Sequence, residues 1–133
     1  MNITSWFGNK EKQDALQRVY HAMDATSSNI MVADNERNIV YINKAVKAML
    51  REAEADLRSA LPNFSLDKVV GSNMDIFHKN PAHQSQLLAN LTDTYVGNIV
   101  VAGRSFRLIA NPIFADDGKR LGSVVEWQDR TKE

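Results

Sequence analysis

Hydrophobic and polar residues alternate along three segments in the second half of the chain, residues 95–101, 104–114 and 121–129. Alternation of this kind is typical of half-buried β-strands, and the glycine-containing sequences between the segments are typical of tight turns. A period of two places one set of side chains on a common face of the last two segments. This set comprises Phe106, Leu108, Ala110, Ser123, Val125 and Trp127. The pattern therefore predicts a three-stranded antiparallel meander with one largely apolar face.

The first half of the chain combines helical and extended patterns. Residues 10–25 carry apolar side chains at helical spacing, while residues 30–34 and 39–43 are short apolar segments on either side of a polar turn. The two short segments predict a β-hairpin. Helical spacing returns in residues 44–50 and again in residues 53–61, which we predict to form two separate short helices.

Asn80 and Pro81 mark the start of a later helix. Asparagine at the N-cap accepts a hydrogen bond from a free backbone N–H, and proline at the first helical position lacks an N–H that would have had no partner. The helix then presents an apolar face formed by Leu87, Leu88 and Leu91. Because His78 lies two residues before the cap, we expect the turn to hold its imidazole in a fixed position.

The order of these elements, a hairpin, then helices, then a meander, predicts an α+β fold. We expect a five-stranded antiparallel sheet with short helices on one face. Residues 26–133 would form this domain, and residues 1–25 an N-terminal amphipathic helix or cap outside it. The apolar stripe of that helix could cover a sheet or pair with a copy of itself, and the pattern leaves both open.

Composition narrows the class of protein. A chain of 133 residues has the length of one domain, and its 16 basic and 16 acidic side chains cancel, so no overall field favours nucleic acid or an anionic membrane. The absence of cysteine excludes disulfides, thiolate haem ligation, cysteine-based zinc sites and a cysteinyl-flavin adduct. No apolar run reaches the length of a membrane span. We expect a soluble, cytoplasmic domain.

His78 is the candidate for binding chemistry. A single histidine held between apolar residues, with no cysteine or carboxylate cluster nearby, is suited to bind one axial position of a haem. In the alternative, His78 donates a hydrogen bond to a backbone carbonyl. His83 is a rival ligand, since the positive end of the helix favours its neutral form. No nucleophile–base pair, phosphate-binding glycine loop or carboxylate pair indicates an enzyme.

Three stretches carry a resemblance to a known family: MVADNERNIVYIN at 31–43, DIFHKNPAHQ at 75–84 and GSVVEWQDRTKE at 122–133. Over residues 26–133 the chain resembles the haem-binding PAS domains of soluble, aerotaxis-type bacterial chemoreceptors, which are methyl-accepting chemotaxis proteins. The resemblance implies the PAS fold. That fold alone does not define a ligand, since PAS domains hold flavin, haem, small acids or nothing.

The resemblance also implies the site residues. His78 matches the proximal ligand of a b-type haem, Trp127 matches a tryptophan that stabilises bound O₂ on the distal side, and Leu108 lines the same distal pocket. The other residues expected around the haem are Phe77, His83, Leu87, Leu88, Leu91, Ile99, Val101, Phe106 and Val125. The alternative for Trp127 is a core tryptophan whose N–H bonds to a backbone carbonyl.

The function that the resemblance implies is that of a haem-based O₂-sensing input domain of a chemotaxis or aerotaxis transducer, with CO and NO as further ligands. Its partners would be other signalling modules of the same receptor, reached through Asp129 and Arg130 at the end of the last strand, and a second copy in a homodimer. Nucleic acid and membrane are not expected partners. The alternative is a cofactor-free PAS module for dimerisation or signal relay.

Overall fold

The computed structural model describes residues 8–77 and 92–132. Two long helices and five strands make up most of this part of the chain, and two short 3-10 helices follow the second long helix. In chain order the elements are α1 (Asn9–Ala25), β1 (Asn29–Ala33), β2 (Ile39–Ile42), α2 (Lys44–Ala60), the 3-10 helices Leu66–Lys68 and Met74–Phe77, β3 (Tyr95–Val101), β4 (Arg104–Phe114) and β5 (Arg120–Asp129).

The five strands form one antiparallel sheet in the order β2-β1-β5-β4-β3. The N-terminal hairpin therefore lies beside β5, the last strand, which becomes the centre of the sheet. Gly122 marks a close approach there: its φ is +144°, and an added Cβ would lie 2.0 Å from the carbonyl oxygen of Ala33. The predicted α+β class, with a five-stranded antiparallel sheet, is confirmed.

The prediction of two short helices over residues 44–50 and 53–61 is wrong, because α2 is one continuous helix. Its buried side chains are Val46, Leu50, Ala53 and Leu57, which keep one helical face across the expected break. Arg51 and Glu52, at that break, are exposed. Both are good helix formers, so they continue the helix on its solvent side.

The core lies between the buried face of α2 and one face of the sheet. Alternation along the strands directs the same set inward that the sequence predicts: Phe106, Ala110, Ser123, Val125 and Trp127 are buried, and Leu108 is partly buried against them. Phe64 and Phe77, from the segments after α2, complete the core at one end of the sheet. The inward face of β4 and β5 thus becomes the wall of any internal site.

Asn43 joins three elements, α1, β1 and α2, at the other end of the core. Its side-chain oxygen accepts from the backbone N–H of Ile30 (3.1 Å) and of Val46 (3.0 Å), which makes it the N-cap of α2. Its amide nitrogen donates to the carbonyl oxygens of Met23 (2.9 Å) and Ser28 (2.7 Å). A single fully buried amide therefore holds the end of α1 against the sheet domain.

Helix α1 buries one residue, Ala15, while Leu16 and Val19 are 50% and 46% exposed. The helix therefore lies outside the core and leaves most of its apolar stripe open. The division of the chain at residue 25 stays a prediction. Within residues 8–77 and 92–132, no helix is both long enough and apolar enough to span a membrane.

Candidate functional site

Trp127 lies on the central strand of the sheet, with its backbone fixed on both sides. It pairs with Leu108 on β4 and with Asn29 on β1, and its side chain points to the α2 side of the sheet. The Asn29 side-chain amide also donates to the Trp127 carbonyl oxygen at 3.0 Å. The main chain at this position is therefore held rigidly, and the indole projects from a fixed base.

The Trp127 indole nitrogen has no hydrogen-bond partner among the described residues, although the side chain is buried. An N–H that is removed from water without an acceptor costs about 1–3 kcal/mol, so native structures rarely keep one without reason. The interpretation of Trp127 as a core tryptophan bonded to a backbone carbonyl does not hold in this part of the chain. Among the described residues, the Trp127 indole N–H is therefore a buried donor without an acceptor.

Two phenylalanine rings contact the Trp127 indole, and a third packs against one of them. The ring centroid of Phe77 lies 4.9 Å from that of Trp127 with an interplanar angle of 63°, and Phe106 lies 5.4 Å away at 75°. Phe64 contacts Phe77 at 5.7 Å. Edge-to-face contacts of this kind fix ring orientation without hydrogen bonds. The indole N–H therefore belongs to an apolar, aromatic site.

The structure brings together most of the described residues that the sequence assigns to the pocket. Phe77, Phe106, Val125 and Trp127 are buried in one cluster, with Val101 at its margin. Leu108 and Ile99 are partly buried and pack against the same cluster. Leu108 is the direct cross-strand neighbour of Trp127. These contacts describe a continuous wall formed by β3, β4, β5 and the 3-10 helix Met74–Phe77.

The predicted axial ligand, His78, lies outside the described residues. The same is true of four further pocket predictions, His83, Leu87, Leu88 and Leu91. Phe77, a buried member of the aromatic cluster, directly precedes His78 in the chain. Within the described part of the molecule, no group of three or more His, Cys, Asp or Glu side chains is placed to hold a metal ion.

The described residues fit the distal side of a haem. A porphyrin face is large and apolar, and a diatomic ligand on its iron needs at most one or two donors in an otherwise apolar pocket. The site supplies an aromatic and aliphatic wall together with one unpaired buried donor, the Nε1 of Trp127. The observations that support this fit are the buried Trp127 N–H and the apolar side chains around it.

A cleft of about 370 Å³ borders the same cluster on the solvent side. It is formed by the end of α2 and the residues after it, from Ala60 to Phe64, and by Asp75 and Ile76 of the second 3-10 helix. Phe64 thus separates the cleft from Phe77. The segment that leads to His78 is therefore reached from solvent along one side.

A second polar arrangement connects the last strand to α2. The Arg104 guanidinium contacts a carboxylate oxygen of Asp56 at 2.9 Å and one of Asp129 at 3.6 Å. Residues beyond β5 fold back on the same place: the Ser105 N–H donates to the Thr131 hydroxyl at 3.1 Å, and the Arg130 N–H to the Ser105 carbonyl at 2.8 Å. The end of the last strand is therefore fixed against β4.

These contacts shift two pKa values. The hydrogen bond to Asp56, together with the charges of Asp56 and Asp129, raises the pKa of Arg104. Burial disfavours the charged form of Asp129, but hydrogen bonds from Thr131 and the charge of Arg104 outweigh it and lower the pKa of that carboxyl. Both groups are thus held in their charged forms. The charge of Arg104 is therefore paired with carboxylates of the protein.

Sequence reasoning missed two features that shape the site. The four-way role of Asn43 had a readable signal, an asparagine directly before an apolar helix. The pairing of Arg104 with Asp56 and Asp129 had no signal in the sequence, since Arg104 lies 48 residues from Asp56 and 25 residues from Asp129. Long-range pairs of this kind depend on the sheet order.

The fold is that of a PAS domain. A sequence profile described as "PAS domain" matches residues 17–81, and the chain is 35% identical to a solved structure of the Aer2 receptor of Vibrio cholerae, described as a dual PAS-haem oxygen sensor. That match covers 77% of this chain and 94% of the other, with a TM-score of 0.72. The chain belongs to the PAS domain family.

Two further comparisons bear on this assignment. The methyl-accepting chemotaxis protein McpB of Pseudomonas aeruginosa is 51% identical over 116 residues, which is 87% of this chain and 17% of the length of McpB. The chain therefore spans about one sixth of that receptor. A PAS domain of Colwellia psychrerythraea, 17% identical, covers 90% of this chain and 100% of its own with a TM-score of 0.65, and supports the fold alone.

Proposed function

We propose that this PAS domain is the haem-based oxygen-sensing input domain of a cytoplasmic chemotaxis receptor. The observation that carries the proposal is the Trp127 N–H, which is buried without a partner among the described residues, in an apolar aromatic site that includes Phe77, the residue before His78. The similarity to a PAS-haem oxygen sensor and to a chemotaxis receptor supports it. O₂ is the proposed signal, with CO and NO as further ligands of the same pocket.

Each residue has a distinct role in this proposal. A b-type haem would supply the iron that receives a diatomic gas. His78 would hold the iron, and Trp127 would donate its Nε1–H to the gas, next to Leu108. Among the remaining pocket residues, Phe77, Ile99, Val101, Phe106 and Val125 exclude water from the described wall. His83, Leu87, Leu88 and Leu91 complete the pocket.

The proposed output runs through the end of β5. Trp127 lies two residues before Asp129, whose carboxylate accepts hydrogen bonds from Thr131 and contacts Arg104. A ligand that changes the preferred position of the indole therefore acts on a strand whose end is tied to α2 through Arg104 and Asp56. Other signalling modules of the receptor are the proposed recipients. Catalysis, nucleic acid and membrane have no role in this proposal.

The test is an absorption spectrum of the purified protein reconstituted with haem, in ferric and dithionite-reduced forms, and again under O₂ and CO. We expect a Soret band that shifts with each gas. Replacing the proposed ligand by His78→Ala should abolish gas-dependent shifts, because the proposal gives the iron no second protein ligand. His83→Ala is the matched control and should keep them. If His83→Ala loses the band and His78→Ala keeps it, the ligand assignment is wrong.

A cofactor-free PAS module for dimerisation or relay is the second candidate function. The exposed apolar stripe of α1, with Leu16, Val19 and Tyr20 about half exposed, favours it. A second copy of this chain would be the partner. The same reconstitution experiment separates the two candidates, because a protein that stays colourless with haem supplied supports the cofactor-free module. Light scattering of that protein then tests for a homodimer.

A further inference from the structure

Phe77 connects the segment that leads to His78 with the indole of Trp127. It is the last residue of the 3-10 helix Met74–Phe77 and is 2% exposed. Its ring contacts the Trp127 ring more closely than any other described aromatic ring does, at 4.9 Å between centroids. One side chain thus joins the predicted ligand segment to the unpaired donor.

The indole orientation depends on ring contacts. The backbone of Trp127 is fixed by pairing on both sides and by the Asn29 amide. Its side chain has no hydrogen bond within the described residues, so Phe77 and Phe106 are the aromatic neighbours that hold the ring in place. Phe106 belongs to β4 and moves only with the sheet. Phe77 belongs to a short 3-10 helix outside the sheet.

We infer that Phe77 is the positioning residue for the Trp127 donor. Its ring holds the indole in the orientation that keeps Nε1–H unpaired and available to a polar diatomic ligand. In this inference, the identity of the ligand rests on the proposed function. The contact between the Phe77 and Trp127 rings is independent of that function. Phe77 touches the donor, and it acts on the ligand only through that donor.

Phe77→Leu removes the ring and keeps an apolar side chain in the core. The indole then gains freedom, which ligand binding must remove again. We expect O₂ affinity about two- to tenfold lower, the range that corresponds to the loss of one edge-to-face aromatic pair. Phe77→Met, which has about the volume of leucine but an unbranched, more adaptable side chain, replaces it if the leucine variant fails to fold.

Phe64→Leu is the matched control. Phe64 is buried to nearly the same extent as Phe77 and contacts Phe77 at 5.7 Å, but it makes no ring contact with Trp127. Both substitutions remove one ring from the same cluster and cost similar packing. A general loosening of the core would therefore affect both variants, and loss of indole positioning affects only the Phe77 variant.

The first measurement needs no haem. Trp6→Phe leaves Trp127 as the one tryptophan of the chain, so its fluorescence anisotropy and the NMR signal of its indole N–H report on this side chain alone. In that background we expect Phe77→Leu to lower the anisotropy and shift the N–H signal, and Phe64→Leu to leave both close to the parent. Equal changes in both variants, or none in either, would overturn the inference.

The second measurement is the O₂ dissociation constant and the haem affinity of the same variants. We expect Phe77→Leu to weaken O₂ binding to the haem-loaded protein, and Phe64→Leu to leave O₂ binding unchanged. An unchanged O₂ affinity in the Phe77 variant would contradict the inference. If the parent protein binds no haem at all, the proposed function fails, and the fluorescence and NMR measurements still decide the role of Phe77.

Discussion

At the scale of single residues, Trp127 combines a buried position with an unsatisfied donor, and these have opposite effects on stability. Trp127→Phe removes the donor, whose burial costs about 1–3 kcal/mol, but leaves a cavity where the larger ring was. We expect the two effects nearly to cancel, with a change in unfolding free energy within about 1 kcal/mol in urea titrations.

The same substitution should separate stability from ligand binding. Loss of one hydrogen bond to the ligand is expected to lower O₂ affinity about tenfold, or 1.4 kcal/mol. CO affinity should change less, because CO is a poorer acceptor. Stopped-flow or flash-photolysis kinetics measure both. Equal O₂ affinity in Trp127→Phe and the parent would remove Trp127 from the proposed mechanism.

Tyr41 is a second residue with a defined test. Burial, followed by the charge and the hydrogen bond of Asp24, raises the pKa of the Tyr41 phenol to about 12. An unperturbed tyrosine titrates near pH 10. Since the folded pKa lies above the unfolded value, the stabilisation from Tyr41 is complete below about pH 10 and is lost as pH rises towards 12.

A spectrophotometric titration, which follows phenolate absorbance as pH rises, measures the pKa of Tyr41 directly. With three tyrosines in the chain, one step should appear at higher pH than the others and disappear in Tyr41→Phe. Asp24→Asn should move that step towards pH 10, because it removes the carboxylate charge. A high step that persists in Tyr41→Phe would show that another tyrosine is responsible.

At the scale of elements, alternation along the strands was a strong signal, and β3 and β4 have the predicted bounds. It also predicted which residues of β4 and β5 face inward, including Trp127. Alternation could not predict two other features, the continuity of α2 and the packing of residues far apart in the chain. The continuity of α2 depends on exposed Arg51 and Glu52, whose polar side chains do not distinguish a helix surface from a break.

The other missing information is long-range packing. The contact between Phe77 and Trp127 joins residues 50 positions apart and exists only because β5 lies at the centre of the sheet. No local pattern specifies such a pair. The expected roles of His78 and His83 came from a resemblance and from a helix start, and they stay predictions because both residues lie outside the described part of the chain.

The prediction at the scale of elements concerns Asn43. Asn43→Ala removes the N-cap of α2 and the hydrogen bonds to Met23 and Ser28, and leaves backbone groups without partners. We expect a loss of about 2–4 kcal/mol in unfolding free energy and faster proteolysis of α1. Asn98→Ala, at an exposed position of β3, is the control and should change stability by less than about 0.5 kcal/mol. Equal losses in both variants would contradict this role.

At the scale of the whole molecule, Arg104 ties the end of the central strand to α2, because it contacts both Asp129 and Asp56. Arg104→Gln breaks both contacts. Its guanidinium is largely shielded, but Asp56 is half exposed, so we expect a loss of about 1 kcal/mol or less that shrinks in 1 M salt. Arg107→Gln, on the outer face of the same strand, is the matched control and should have a smaller effect.

The pH dependence of stability tests whether Arg104 stabilises the fold through its charge. The pKa of Asp129 is lowered in the folded protein, so its contribution is present above the unfolded value near 3.9 and is lost as pH falls below it. Because Arg104 supplies part of that shift, the difference between Arg104→Gln and the parent should be largest at pH 7 and narrow towards pH 3. Urea unfolding at both pH values measures it. A difference that stays constant between pH 7 and pH 3 would mean that Arg104 stabilises the fold through packing, and that the carboxylates at the end of β5 and on α2 are not joined by charge.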